Sequence, residues 1–279
     1  MKRFAIASIV ILLLTACIRE VASNDQFQYR LVMDGRIEQD KCAVIMLSQN
    51  IPYGETYDED TIREMVLNWA TVSIIHNGEE EYLTGSRNKD YPTQYIYKSY
   101  NIFGEVGEEY TIRVKIKDQV WEATTTILEP IELSDVEIVA MDEKNFTIEA
   151  TLPATNHPCS IDCSIGGSSY FAPTLLGLYE PSTTPRRITI NRPLDTFIRE
   201  GYSTYFTIED KNIRLRVNTL TDFAYSYWRG WEDNFINSIN PIFPSTSNLP
   251  TNLSNDGMGI WAGYGTSYHK VQMTTDSDL

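Results

Sequence analysis

Histidine is scarce in this sequence, with three residues among 279, at positions 76, 157 and 269. They are scattered, and no His-Glu-x-x-His signature occurs, so the two-histidine zinc site of the metallohydrolases is excluded. A Gly-x-Ser-x-Gly elbow, which exposes a nucleophilic serine in many hydrolases, is also missing. Basic residues are in the minority, with 23 Lys plus Arg against 38 Asp plus Glu and a formal net charge of −15. Such a balance disfavours nucleic acid and anionic headgroups as partners. Long apolar runs are absent after the first residues. Phe4 to Leu14 is a run of 11 residues, apolar except for Ser8, and a helix needs about 20 to cross a bilayer core.

The N-terminus therefore reads as a secretory signal. Lys2 and Arg3 precede the apolar run, and Leu14-Thr15-Ala16-Cys17 closes it with small residues leading into a cysteine. This resembles a bacterial lipobox, in which the Cys17 thiol is acylated and the chain is cleaved before it. The competing readings are an ordinary signal with a chance cysteine, or an uncut anchor. Run length, small residues and cysteine position together favour the lipobox. Two or three acyl chains anchor a protein stably where one binds marginally. Cleavage would remove Lys2 and Arg3 and take the charge from −15 to −17. Residues 17–28 would then form a lipidated tether.

Cys42, Cys159 and Cys163 remain, an odd number. Cys42 lies in "KCAVIMLS" and reads as a packed small hydrophobe in a buried strand. Cys159 and Cys163 read as a local disulfide or two free thiols. In one straight strand their Cα atoms would stand about 13 Å apart, so bridging requires a bend. His157 and Asp162 flank them, but a zinc site needs a second ligand pair that the sequence does not supply. No metal and no cofactor is expected.

From Tyr29 onward, short runs of alternating or continuous apolar residues predict a mainly β protein. Residues 29–129 read as an immunoglobulin-like or transthyretin-like β-sandwich of about seven strands. That region includes a short helix within 58–70, a hairpin turning at Asn77-Gly78 and a turn at Asp118-Gln119. Pro130 interrupts the pattern, and residues 130–272 read as a second antiparallel β domain, followed by a polar tail at 273–279. Within it "CSIDCSIGGSSYFAPTLLGLYEPSTTPRR" looks irregular. Residues 203–220 read as a hairpin in which Ile213, Leu215 and Val217 face one way and Arg214 and Arg216 the other.

One aromatic-faced helix is expected near 222–238, capped by Thr221 or Asp222 and ended by Asn240-Pro241. Phe223, Tyr227, Trp231 and Phe235 recur every four residues, with Trp228 beside them. Such a face packs on a core by default; exposed, it would stack on a ligand. After it comes "GMGIWAGYG" (257–265). A phosphate loop would set its glycines between a strand and a helix, yet "TSYHKVQM" follows and reads as strand. Gly257, Gly259, Gly263 and Gly265 therefore read as a kinked last strand approached closely by other backbone, with Trp261 and Tyr264 packed around them. Tyr227, Trp228, Trp231, Trp261 and Tyr264 are the candidate contact aromatics.

The lipobox, "RLVMDGRI", "VIMLSQNIP", "YKSYNIFGEVGEEYTIRV", "FAYSYW" and "LPTNLSNDGMGIWAGYG" occur in that order. On these segments the chain resembles the Bacteroidota surface lipoproteins grouped as domain of unknown function 4249, with residues 150–200 the poorest match. The resemblance implies a two-part β architecture, an outer-membrane or cell-surface location, and an accessory role beside a TonB-dependent nutrient transporter. It supplies no catalytic residues. The expected function is non-enzymatic ligand capture or docking on that transporter, for a small-molecule or glycan ligand. The alternatives are a cell-surface adhesin and a glycan hydrolase, for which Glu200, Glu209 and Asp210 would be candidate acids.

Overall fold

The computed structural model describes residues 28–51, 58–194, 203–239 and 248–271. The signal peptide, Cys17, nearly all of the tether, Glu200 and the polar tail lie outside them.

The alternation of "LVMDGRIE" makes β1 (Leu31–Glu38), which turns into β2 (Cys42–Gln49). After α1 (Glu59–Glu64) come β3 (Thr71–His76), β4 (Glu79–Tyr82), β5 (Thr84–Arg87), β6 (Tyr95–Phe103), β7 (Glu109–Ile116) and β8 (Gln119–Thr126). Sheet β4-β3-β7-β8 packs on β1, β2 and β6. Between them lie Met33, Ile37, Ile45, Leu47, Ile74, Ile112 and Val114, all essentially inaccessible. Asn77 and Gly78 both adopt positive φ, the geometry of a two-residue hairpin turn, as expected. The next hairpin turns at Lys117-Asp118, one residue earlier than expected, with φ 54° at Lys117.

The second half contributes β9 (Ser134–Ala140), β10 (Asn145–Leu152), β11 (Cys159–Ser164), β12 (Ala172–Tyr179), β13 (Arg186–Ile190), β14 (Phe206–Thr207) and β15 (Arg214–Thr219). A small sheet of β9, β10, β13 and β14 packs on β11 and β15 around Ile148, Leu152, Ile161, Phe206, Leu215 and Val217. Helix α2 (Asp222–Ile239) and the last strand, β16 (Met258–Lys270), complete the order. The fold is mainly β, with sandwich layers and one long helix, as the alternation implies.

β16 joins the two sandwiches. Its first part, Met258–Tyr264, pairs in parallel with β1, and its second, Gly265–Lys270, pairs antiparallel with β15. The result is a single eight-stranded sheet, β12-β11-β15-β16-β1-β2-β6-β5, that backs both cores. A parallel pair was not expected from the sequence. It forms because the two chain ends meet side by side, so no local turn sets its direction.

The glycines of β16 allow that crossing. Gly259 has φ 99°, and a Cβ there would stand 1.8 Å from the Met33 carbonyl oxygen. At Gly263 and Gly265 it would meet the carbonyl oxygens of Thr126 and Leu128 at 2.7 and 2.0 Å. These glycines are structural, as the sequence suggested. Trp261 sits across from Gly35, whose missing side chain makes room for the indole.

Several expectations are corrected. The segment 203–220 is not a hairpin: β14 pairs with β10 and β15 with β11 and β16, in different sheets. Asp210 diverts the chain, accepting the Thr207 N–H at 2.8 Å and the Arg192 guanidinium at 2.7 Å. The segment 159–187 is not irregular chain: "CSIDCS" is a central strand buried along its whole length, β12 follows it, and β13 starts at its end. Cys159 and Cys163 form no disulfide, because β11 stays extended and holds them apart. The helix at 58–70 shrinks to α1. Beyond it Leu67 donates its N–H to Leu47 O at 3.0 Å, so the chain extends the edge of β2, and Trp69 is exposed.

Candidate functional site: a charged cleft where the sandwiches meet

A strand sends alternate side chains to opposite faces. In β1, Leu31, Met33 and Ile37 enter the core, so Asp34, Arg36 and Glu38 share the other face. The same rule brings Ser160 and Asp162 from β11, Arg216 and Asn218 from β15, Tyr264 and Tyr268 from β16, and Cys42, Val44 and Met46 from β2 onto that face. Five neighbouring strands thus floor one cleft, with a cavity of about 370 Å³. That lies in the range of small-molecule sites.

Its walls come from both halves. Tyr91 belongs to the β5–β6 loop, and Tyr170 and Phe171 to the β11–β12 loop. The two loops are clasped: Ser169 donates its backbone N–H and its hydroxyl to Asp90 Oδ2, at 2.9 and 2.8 Å. The Tyr91 and Tyr170 rings meet at 5.4 Å. Helix α2 closes another side. Thr221 caps it, accepting the Ala224 N–H at 3.2 Å. Ala224 and Tyr227 lie on Ile260, Ala262 and Tyr264, and Trp228 donates its indole N–H to the Tyr264 hydroxyl at 3.0 Å.

The floor is an ion-pair network. Arg216 donates to Asp162 Oδ2 from Nε and Nη2, at 3.1 and 2.6 Å, and from Nη1 to Glu38 at 3.0 Å. Arg36 donates to Asn218 at 2.9 Å and stands 2.7 Å from Glu38 through Nε. That Nε–H is not aimed at the carboxylate, so the contact is one of charge more than of directed hydrogen bonding. Lys41 lies 3.4 Å from Glu38, and the Tyr268 hydroxyl donates to the same carboxylate. The Arg36 guanidinium stacks 4.5 Å over the Tyr264 ring, and Arg216 lies 4.9 Å from the Phe171 centroid.

Paired charges of this kind set proton affinities. Burial alone would raise the Glu38 carboxyl, but Arg36, Arg216 and Lys41 outweigh it and hold Glu38 well below the usual carboxylate range. Asp34 differs. Burial pushes its carboxyl up, Asp162 adds to the effect, and Arg36 and Arg216 offset them only in part. Among the described residues no hydrogen bond or ion pair to the Asp34 carboxylate is formed, though part of the side chain still faces the cavity.

Ser267, His269 and Glu132 also converge, at the far end of β16. The His269 Nε2 is 3.3 Å from Ser267 Oγ and 3.7 Å from Glu132. A serine–histidine relay needs the acid on the other ring nitrogen. Here one nitrogen faces both groups, and the buried Ser267 hydroxyl donates to Ile131 O at 2.7 Å. The trio is a structural tie. His269 is half-buried.

The profile of the family described as "Domain of unknown function (DUF4249)" matches residues 19–269. The chain belongs to this family. No curated protein matches it. Among solved structures, a crystal structure of bovine butyrophilin is similar over 68% of this chain and 92% of its own, at 9% identity and a TM-score of 0.20. A likeness that loose carries no argument.

In this DUF4249 protein the five candidate aromatics separate. Tyr264 and Trp228 line the cleft, and Tyr227 packs beneath α2. Trp231 lines a neighbouring gap with Trp228 and Glu232. Trp261 is withdrawn as a contact residue: it is fully buried and donates its indole N–H to Tyr110 O at 2.9 Å. Cys42 is also corrected, being a half-buried thiol in the cleft wall. Of the acids, Asp210 is neutralised by Arg192 and Glu209 is exposed.

Sequence reasoning missed Asp34, Arg36, Glu38, Asp162, Arg216 and Asn218. Their signal was the two-residue period of mixed charge in "DGRIE" and "RLRVN". It looks like an ordinary solvated face until the strands are known to be neighbours. Among the described residues no group of three or more His, Cys, Asp or Glu is placed to hold a metal, and no helix is long and apolar enough to cross a membrane.

Proposed function

We propose that this protein is a lipid-anchored, surface-exposed outer-membrane binding protein of Bacteroidota, non-enzymatic, which captures a small polar ligand and serves as accessory to a TonB-dependent transporter. The observation that carries the reading is the cleft. Its aromatic walls and fixed charges offer orientation and specificity, and Glu38 and Asp162 in its floor are locked in guanidinium pairs. The lipobox at Cys17 supports the anchor, and the resemblance to surface lipoproteins supports the location.

Crosslinking of the native protein in intact cells, followed by mass spectrometry, tests the reading. An outer-membrane barrel should be recovered, and the mature N-terminus should be acylated Cys17. Recovery of inner-membrane or periplasmic partners alone, or an uncleaved N-terminus, refutes it.

A further inference from the structure

We infer that the ligand of the cleft carries a protonated primary amine, and that Asp34 is the residue that receives it. The inference rests on the binding reading above and specifies its ligand.

The charges of the floor decide the matter. Asp162 and Glu38 are the acceptors of Arg216, and Arg36 and Lys41 converge on Glu38 as well. Each of these three cations already faces a carboxylate. Asp34, on the same face of β1, has none of its own. Arg36 and Arg216 act on it only at longer range. The three acids and three cations of the floor balance, and Asp34 is the acid left without a direct contact among the described residues, in a place where water is partly excluded.

An ammonium group satisfies that acid in two ways. It donates hydrogen bonds to the carboxylate, and it neutralises a charge that burial otherwise penalises. A neutral hydroxyl does only the first. An anionic ligand does neither at this position. A metal ion would need further free oxygen ligands, which the paired neighbours of Asp34 do not offer.

The surroundings suit a cation. Tyr170 and Tyr264 line the same cleft as Asp34, and Tyr227 packs with Tyr264 under α2. Aromatic faces around a carboxylate form a favourable setting for ammonium. Lys98, on β6 in the cleft wall, forms no ion pair among the described residues, so a ligand with an anionic far end finds a counterion there.

Saturation-transfer NMR on the full-length protein tests this with glucosamine, tyramine and lysine, each beside its fully N-acetylated form. The amines should bind at least about tenfold more tightly than the acetylated partners, and Asp34→Asn should erase that preference. A thermal melt of Asp34→Asn confirms that the variant is folded. If the acetylated forms bind as well as the amines, or Asp34→Asn leaves the preference intact, the amine assignment is overturned while the binding reading stands. If no amine gives a signal, the assignment also falls. Silence from neutral sugars and short peptides in the same screen takes the binding reading with it.

Discussion

Arg216 is the keystone of the cleft floor, and its removal should be costly. Its side chain is 7% exposed, against 8% for Glu38 and 9% for Asp162. Arg216→Met keeps much of the apolar stem and deletes three charged contacts. Breaking a buried pair by removing one partner costs about 3–5 kcal/mol, because a charge is left behind without compensation. Here the abandoned acids keep other partners. Asp162 still accepts from Asn218 at 2.8 Å, and Glu38 retains Arg36 and Lys41. The lower end of the range is therefore expected, about 3 kcal/mol, or roughly 140-fold in the folding equilibrium.

Urea denaturation followed by tryptophan fluorescence at pH 7 measures the loss. Adding Asp162→Asn to Arg216→Met removes the surplus negative charge and should recover about half of it, on the same reasoning. Acid should narrow the gap between wild type and Arg216→Met. Without one of the two guanidiniums that hold Glu38 below the ordinary range, that carboxyl takes up a proton more readily. A single variant within about 0.5 kcal/mol of wild type would refute the reasoning, since that is the usual scatter of surface substitutions. So would a loss that Asp162→Asn deepens.

Other expectations follow from the same geometry. Asp34→Asn should raise the melting temperature at neutral pH. Its carboxyl is raised in the fold above the ordinary 3.8, so ionisation costs stability as pH climbs from that value through the folded one. The gain of the variant should be full above that window and vanish below pH 3.8, and a gain independent of pH would contradict the burial of Asp34. Gly265→Ala and Gly263→Ala should each destabilise by about 1–3 kcal/mol or more by overpacking. Gly265→Ala should be the worse, because its Cβ would lie 2.0 Å from a carbonyl oxygen against 2.7 Å. In native buffer a thiol reagent should modify Cys42 and leave Cys159 and Cys163 untouched until the chain is unfolded. Burial pushes the Cys159 thiol up to about 12, and both of these side chains are inaccessible. Rapid labelling of all three would show β11 to be open.

Much of the fold is legible in the residues, and the reason is local. Period-two alternation in "LVMDGRIE", "YTIRVKI" and "NFTIEATL" dictates strands whatever they pair with. Asn77-Gly78 names its own turn, and the four-residue recurrence of aromatics names α2. The glycines of β16 were read correctly because no helix follows them. Errors arose where local pattern ran ahead of pairing. Residues 203–220 look like a hairpin because two β-runs lie close together, but a turn built on Asp210 sends them to different sheets. Trp261 looks like a contact residue because glycines surround it, and those same glycines admit it to the core.

The sequence alone determined which side chains share a face of each strand, since alternation is a property of the extended backbone and needs no neighbour. It determined that Asp34, Arg36 and Glu38 stand together, and Arg216 with Asn218. The tertiary structure decided that those two faces are one face. That follows from β16, which pairs with β15 through one part of its length and through the other with β1, more than two hundred positions away, a pairing that no local interaction encodes. Only then do the charges of two sandwiches meet and pair, leaving Asp34 without a direct contact among the described residues.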